Sequence, residues 1–241
     1  MKKKRVHSHY NTQENRDRIT AAVRQAIIDV LAGKIKRPTI SNGNRKMGPI
    51  PSISLVPYST CPHCCQETCG PDCYAAKMAL MYCNDEKDSS TLTSWARNTA
   101  LAVYKPDLYW KYVEKRIARS RFFRFHVGGD IPSPRYLGKM VEIARKYPSC
   151  QIIAFTKRHS WVNQYIDVNG DLPGNLHIIL SGWEGLTVEN PHNLPETNVI
   201  MPGMEKPDNW SLCGGNCSEC AACGMGCWVA GAGNIIAFPL H

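Results

Sequence analysis

Ten thiols crowded into two short windows constrain this chain more than any other feature. Thr60 to Ala75 (TCPHCCQETCGPDCYA) holds five of the 12 cysteines, and Cys213 to Trp228 (CGGNCSECAACGMGCW) holds five more. Which chemistry such density serves depends on the redox compartment. The opening MKKKRVHSHYNTQ is basic, but no apolar stretch follows it, so it does not read as a secretory signal. No apolar run approaches the ~18 residues of a membrane span. The reading is a cytoplasmic chain without a membrane partner, in whose reducing surroundings clustered thiols point to metal rather than to a disulfide framework.

Charge is divided unevenly. The net charge is +9, and residues 1–47 hold 12 Lys and Arg against Glu14, Asp17 and Asp29, while the remainder carries 17 of each sign. The body is therefore neutral and the basicity sits in an N-terminal arm. Thr12 caps an expected helix from Gln13 to Ala32, stopped by Gly33, with Ile19, Val23, Ile27, Val30 and Leu31 on one face. Its basic side is either a solvated surface or a contact for an anionic partner such as nucleic acid.

Beyond a Pro/Gly/Asn-rich lead-in, short apolar runs alternate with helical patterns. Ile53–Val56, Phe122–Val127, Ile152–Phe155, Leu176–Leu180, Asn198–Met201 and Ile235–Phe238 read as six strands. Helices are expected at 74–82, 92–103, 107–118 and 134–147. Such alternation implies a parallel sheet, and right-handed crossovers curl it towards an incomplete barrel. The expected architecture is α/β: a partial (βα)6 TIM-like barrel over 48–241, with two cysteine-rich loops and a basic helical arm over 1–47.

In parallel α/β folds the loops after the strands form the active face. The first cysteine block follows strand one, Gly128-Gly129-Asp130 follows strand two and Thr156-Lys157-Arg158 follows strand three. The second block follows strand five, so both blocks are expected to meet at one end. Thiolates select zinc, copper(I) or iron–sulfur clusters. Cys61/Cys64 and Cys220/Cys223 have the spacing of zinc knuckles. The four-residue steps Cys65/Cys69/Cys73, Cys213/Cys217 and Cys223/Cys227 suit [4Fe–4S] cubes, and ten thiols allow one or two. Cys61, Cys69 and Cys73 are the preferred ligands of the first block, and Cys213, Cys220, Cys223 and Cys227 of the second. Cys83 and Cys150 stand apart as small buried hydrophobes. Gly128-Gly129-Asp130 is either a tight turn or a place where backbone approaches a ligand. Lys157 and Arg158 are solvated loop charges or hold a carboxylate or phosphate. His126 reads as a core histidine.

The loop after strand one and the Gly-Gly-acid after strand two resemble the radical S-adenosylmethionine enzymes. Those are partial (βα)6 barrels in which cysteines bind the cluster and a Gly-Gly-Glu motif holds the methionine amino group. The ordered set LVPYSTCP, CYAAK, FRFHVGGD, FTKR and a terminal CxxCxxxCW looks like the phage gene-product-eighty-eight family, over roughly residues 43–228. The resemblance implies a [4Fe–4S] cluster, S-adenosylmethionine held at Gly128, Gly129 and Asp130, an electron donor and an unnamed substrate. Two departures stand out. The Cys-x3-Cys-x2-Cys signature falls at Cys213, Cys217 and Cys220 rather than in the first block, and Asp130 replaces the glutamate. The other reading is a zinc-stapled binding module whose basic arm contacts nucleic acid.

Overall fold

A computed structural model describes residues 8–240; the leading lysine and arginine run, within residues 1–7, lies outside the described residues. The strands are β1 (Ser52–Ile53), β2 (Phe122–Phe125), β3 (Gln151–Thr156), β4 (Leu176–Ser181), β5 (Glu196–Ile200), β6 (Trp210–Leu212) and β7 (Ile235–Pro239). They form one sheet in the order β1-β2-β3-β4-β5-β7-β6, and each neighbouring pair is parallel. The chain is thus α/β with a parallel sheet, of seven strands among the described residues rather than six. The additional strand, β6, is three residues long, follows Pro207 and is largely exposed, so it carries no apolar signal.

Among the described residues seven helices accompany the sheet: α1 (Gln13–Leu31), α2 (Tyr74–Leu80), α3 (Ser90–Tyr104), α4 (Pro106–Ile117), α5 (Pro134–Lys146), α6 (His159–Asn169) and α7 (Cys217–Ala222). Their starts follow local chemistry. The Thr12, Ser89 and Ser133 hydroxyls accept hydrogen bonds from backbone N–H groups in the first turns of α1, α3 and α5, satisfying donors that have no partner within the helix. Pro106 and Pro134 occupy first-turn positions where the missing N–H costs nothing.

Alternation along the strands separates two faces. Phe123 and Phe125 of β2, Ile152 and Ala154 of β3, and Ile178 and Leu180 of β4 enter the main core with the helices. Ile19, Ala26 and Val30 of α1 are buried in that same core, so the helix of the basic arm packs into the body of the protein. Leu31, expected on the apolar face, is instead exposed, because the helix ends there and its last turn passes beyond the core. The second face carries Phe122, Ile153, Phe155 and Ile179, covered by Met47, Ile50, Ala221 and Trp228. Among the described residues, no helix is long and apolar enough to cross a membrane.

Candidate metal centre

The first block begins where the chain leaves β1. Its backbone folds through two short 3-10 turns, His63–Gln66 and Gly70–Asp72, before α2 starts at Tyr74. Gly70 is required: a Cβ there would lie 2.4 Å from the Cys65 carbonyl oxygen. The Tyr58 hydroxyl donates to the Gly70 carbonyl at 3.1 Å and closes the loop. This fold brings four thiols together. The Cys69 sulfur donates to the Cys65 carbonyl at 3.9 Å, and the thiols of Cys61, Cys65, Cys69 and Cys73 perturb one another electrostatically. Cys65 is buried, whereas Cys64, on the same turn, is half-buried.

The electrostatics favour a thiolate at one position. The neighbouring Cys65 thiol holds the Cys69 thiol down at about 6, against burial and with help from the Lys157 ammonium. Cys65 is pushed up by its neighbours Cys61 and Cys69 and by burial. Burial pushes Cys73 up to about 12. Lys157 is half-buried, and although burial opposes its charge, Cys69, Cys65, Asp130 and Cys61 raise it above its ordinary range. Its ammonium also lies 5.7 Å from the Trp183 ring centroid.

Behind the thiols three strand-end loops are stitched together. Thr60 donates to the Val56 carbonyl at 2.9 Å and accepts from the Asp130 N–H at 3.0 Å. Its own carbonyl accepts from the Arg158 guanidinium at 2.9 Å. Asp130 is buried, and its carboxylate accepts from the Thr156 hydroxyl, the Ile131 N–H and the Lys157 N–H at 2.6, 2.7 and 2.9 Å. Burial raises its pKa, opposed by those hydrogen bonds. The two glycines before it meet protein. A Cβ on Gly128 would fall 2.3 Å from the Trp95 ring, and Gly129, at φ +79°, lies against Thr60 and the Leu55 carbonyl. Gly128, Gly129 and Asp130 therefore stand beside the thiols, in a turn whose glycines are already demanded by packing. Thr60, the hub of this arrangement, has no sequence signature, since one threonine in a cysteine loop carries no distinguishing pattern.

The second block groups separately. The thiols of Cys213, Cys217 and Cys223 lie near Cys220, and Cys213, Cys217 and Cys220 lie near Cys227. Burial pushes Cys227 up to about 12, with Arg124 acting in the opposite sense. Cys213 directly follows β6, and α7 carries Cys217 and Cys220. Asn216 caps α7 by accepting from the Glu219 N–H at 3.3 Å. Trp228 anchors the block. Its ring packs on Phe122, centroids 5.1 Å apart, and its indole N–H donates to the Cys217 carbonyl at 3.1 Å. The block covers the second face, where Cys217, Cys220, Cys227 and Trp228 pack with Phe122, Ile153, Phe155 and Ile179. The first block lies beyond the end of β1. Cys83 and Cys150 belong to neither set: Cys150 is buried, and the Cys83 sulfur accepts from the Ser89 N–H at 3.2 Å.

All 12 cysteines are free thiols. Among the described residues no three His, Cys, Asp or Glu side chains are already disposed around a single ion. What suits the first set to metal is its donor chemistry: four neighbouring sulfur ligands, a favoured thiolate at Cys69, and a cation beside them to balance an anionic thiolate complex.

The model of the phage family described as Gene product 88 matches residues 12–231. The chain belongs to the Gene product 88 family. Neither curated proteins nor solved structures give a match. The matched span runs from the cap of α1 through both cysteine blocks, so the family comprises the helix of the arm as well as the sheet.

Proposed function

We propose that this Gene product 88 chain is an iron–sulfur protein whose cluster is held by Cys61, Cys65, Cys69 and Cys73 at the strand ends. What carries this is the close spacing of Cys61, Cys65, Cys69 and Cys73 on one loop that the Tyr58–Gly70 hydrogen bond closes, with the Cys69 sulfur 3.9 Å from the Cys65 carbonyl oxygen. Thiolate ligands select soft metals, and closely spaced cysteines along one loop are the habit of [4Fe–4S] sites. The five thiols of the second block offer ligands for another cluster. The sequential order of β1 to β5 supports a partial barrel of radical S-adenosylmethionine type. In such enzymes the cluster, when bound, supplies the electron that cleaves the cofactor. Here the protein's part is to shield the site with Trp183, balance charge with Lys157, and hold the loops rigid through Thr60 and Asp130. A cytoplasmic setting with an electron donor fits free thiols, and phage origin fits the family.

The test is anaerobic purification followed by iron, sulfide and zinc analysis. A brown protein with about four irons per first-block site supports the proposal; a colourless protein with stoichiometric zinc overturns it. Release of 5′-deoxyadenosine under reducing conditions tests the finer enzymatic reading. The zinc-stapled alternative draws on the exposed Cys223 and the Cys220/Cys223 knuckle at α7. Its nucleic-acid contact through the arm predicts binding that weakens steeply with salt and is lost when basic residues of the arm are neutralised.

A further inference from the structure

The second face of the sheet forms a hollow. Phe155 of β3 and Phe238 of β7 stand on strands separated by β4 and β5. Side chains rising straight from a flat sheet would hold these rings roughly 14 Å apart, three strand spacings. The ring centroids are 6.1 Å apart, so the sheet curls and its second face is the concave one. Met47, Ile50, Ala221 and Trp228 cover part of that face. Phe155 and Phe238 are only half-buried, so part of each ring is open to solvent.

A cation stands against each ring. The Arg124 guanidinium lies 4.8 Å from the Phe155 centroid, and the Lys46 ammonium lies 5.8 Å from the Phe238 centroid. Alternation along β2 puts Arg124 on the same face as Phe122, and it pairs in register with Ile153 of that face. Arg124 is the telling residue. It is half-buried with its Nε shut off from water, yet among the described residues its guanidinium makes no hydrogen bond and no salt bridge. Buried polar groups are almost always paired, and a guanidinium is a planar fork of donors that fits an oxyanion. Lys46 also forms no salt bridge among the described residues, so the hollow carries two positive charges with no carboxylate paired to either.

We propose that this hollow binds an organic oxyanion with an apolar body, either a carboxylate or a phosphate ester. Its oxygens accept hydrogen bonds from Arg124, its body lies against Phe155 and Phe238, and Lys46 adds attraction from the far side. The second cysteine block packs on this same face through Cys217, Cys220 and Cys227, which places the ligand on the side of the sheet that block covers. No sulfur is among the ligand's contacts, so the site holds whether or not the metal reading does.

Calorimetric titration of the anaerobically purified full chain tests this, with benzoate, phenyl phosphate and neutral benzyl alcohol as probes. The preferred anion should bind roughly tenfold or more tightly than benzyl alcohol. The two anions separate the sources: tighter binding of benzoate assigns a carboxylate, tighter binding of phenyl phosphate a phosphate ester. Arg124→Gln should weaken the preferred anion by roughly tenfold or more, and Arg124→Lys, which keeps the charge but loses the fork, should recover part of that loss. Lys46→Gln, at an exposed position, should weaken the anion about threefold and carries the test if the Arg124 variants do not fold. Equal binding of benzyl alcohol and both anions, anion affinity that survives the substitutions, or no heat from any probe at about 5 mM overturns the proposal.

Discussion

The two cysteine blocks have the same number of thiols and similar spacing, yet they are built differently. The first is threaded into the framework: Gly70 fits under a carbonyl, Tyr58 closes the loop, and Thr60 joins three strand ends. A lysine sits among its sulfurs. The second is laid over the sheet and anchored by Trp228, and Gly214, Gly215 and Gly224 meet nothing within 4 Å. Its Cys223 is exposed. Equal cysteine content thus conceals one loop whose backbone is fixed by packing and one laid over open space. A fixed backbone is what a reactive centre builds on, because its ligands must be held in place.

The sharpest way to break that comparison is to remove one sulfur. Cys69→Ser should abolish metal at the first site while the second keeps its own, halving total iron if both are loaded. Cys64→Ser, one position before Cys65 in the chain, should leave iron unchanged because the four-residue steps Cys61, Cys65, Cys69 and Cys73 pass it by. Iron analysis and the visible spectrum of the two variants read the difference. Equal losses from both would show that the first loop rearranges around metal and is no more preorganised than the second.

Backbone tolerance separates the blocks next. Gly70→Ala would drive a Cβ to 2.4 Å from the Cys65 carbonyl oxygen and should cost about 3 kcal/mol. Gly214→Ala meets open space at a φ outside the left-handed region and should change stability by less than about 0.5 kcal/mol. Urea midpoints of both variants check this, and matching shifts would remove the distinction between a fitted and an adaptable loop.

Sequence pattern exposes these regions unequally. β2 is legible by its alternation and β3 and β4 by their short buried apolar runs, and Thr12 and Gly33 bracket α1 as expected. α6 is hidden because it starts at His159, directly after Thr156-Lys157-Arg158, without a side-chain cap. Cys64 and Cys65 are chemically identical in sequence, and only the 3-10 turn decides that Cys65 is buried and Cys64 is not. Lys157 reads equally well as a solvated charge, since nothing local reveals that the loop after β1 folds over it. The second block's place on the second face depends on Trp228 reaching Phe122, a contact between residues far apart in the chain that no local pattern announces.

Acid gives the smallest but most specific effect, and it acts through His126. His126 follows β2 and precedes Val127, whose carbonyl accepts from the Tyr74 hydroxyl at the start of the first block's helix. The imidazole is buried at φ +58°, with Nε2 3.0 Å from the Tyr136 hydroxyl and Nδ1 without a partner. Burial, helped by Arg124, lowers its pKa from 6.5 to about 3. The unfolded chain therefore binds this proton more readily, and the stability present above pH 6.5 is lost as pH falls towards 3. At pH 5 the loss should be about 2 kcal/mol relative to pH 7.5, on the scale of roughly 1.4 kcal/mol per pKa unit. His126→Asn, which tolerates positive φ, should be less stable at neutral pH but lack this increment. Urea midpoints of wild type and variant at both pH values measure it, and an equal acid dependence in the two would assign the loss to other groups.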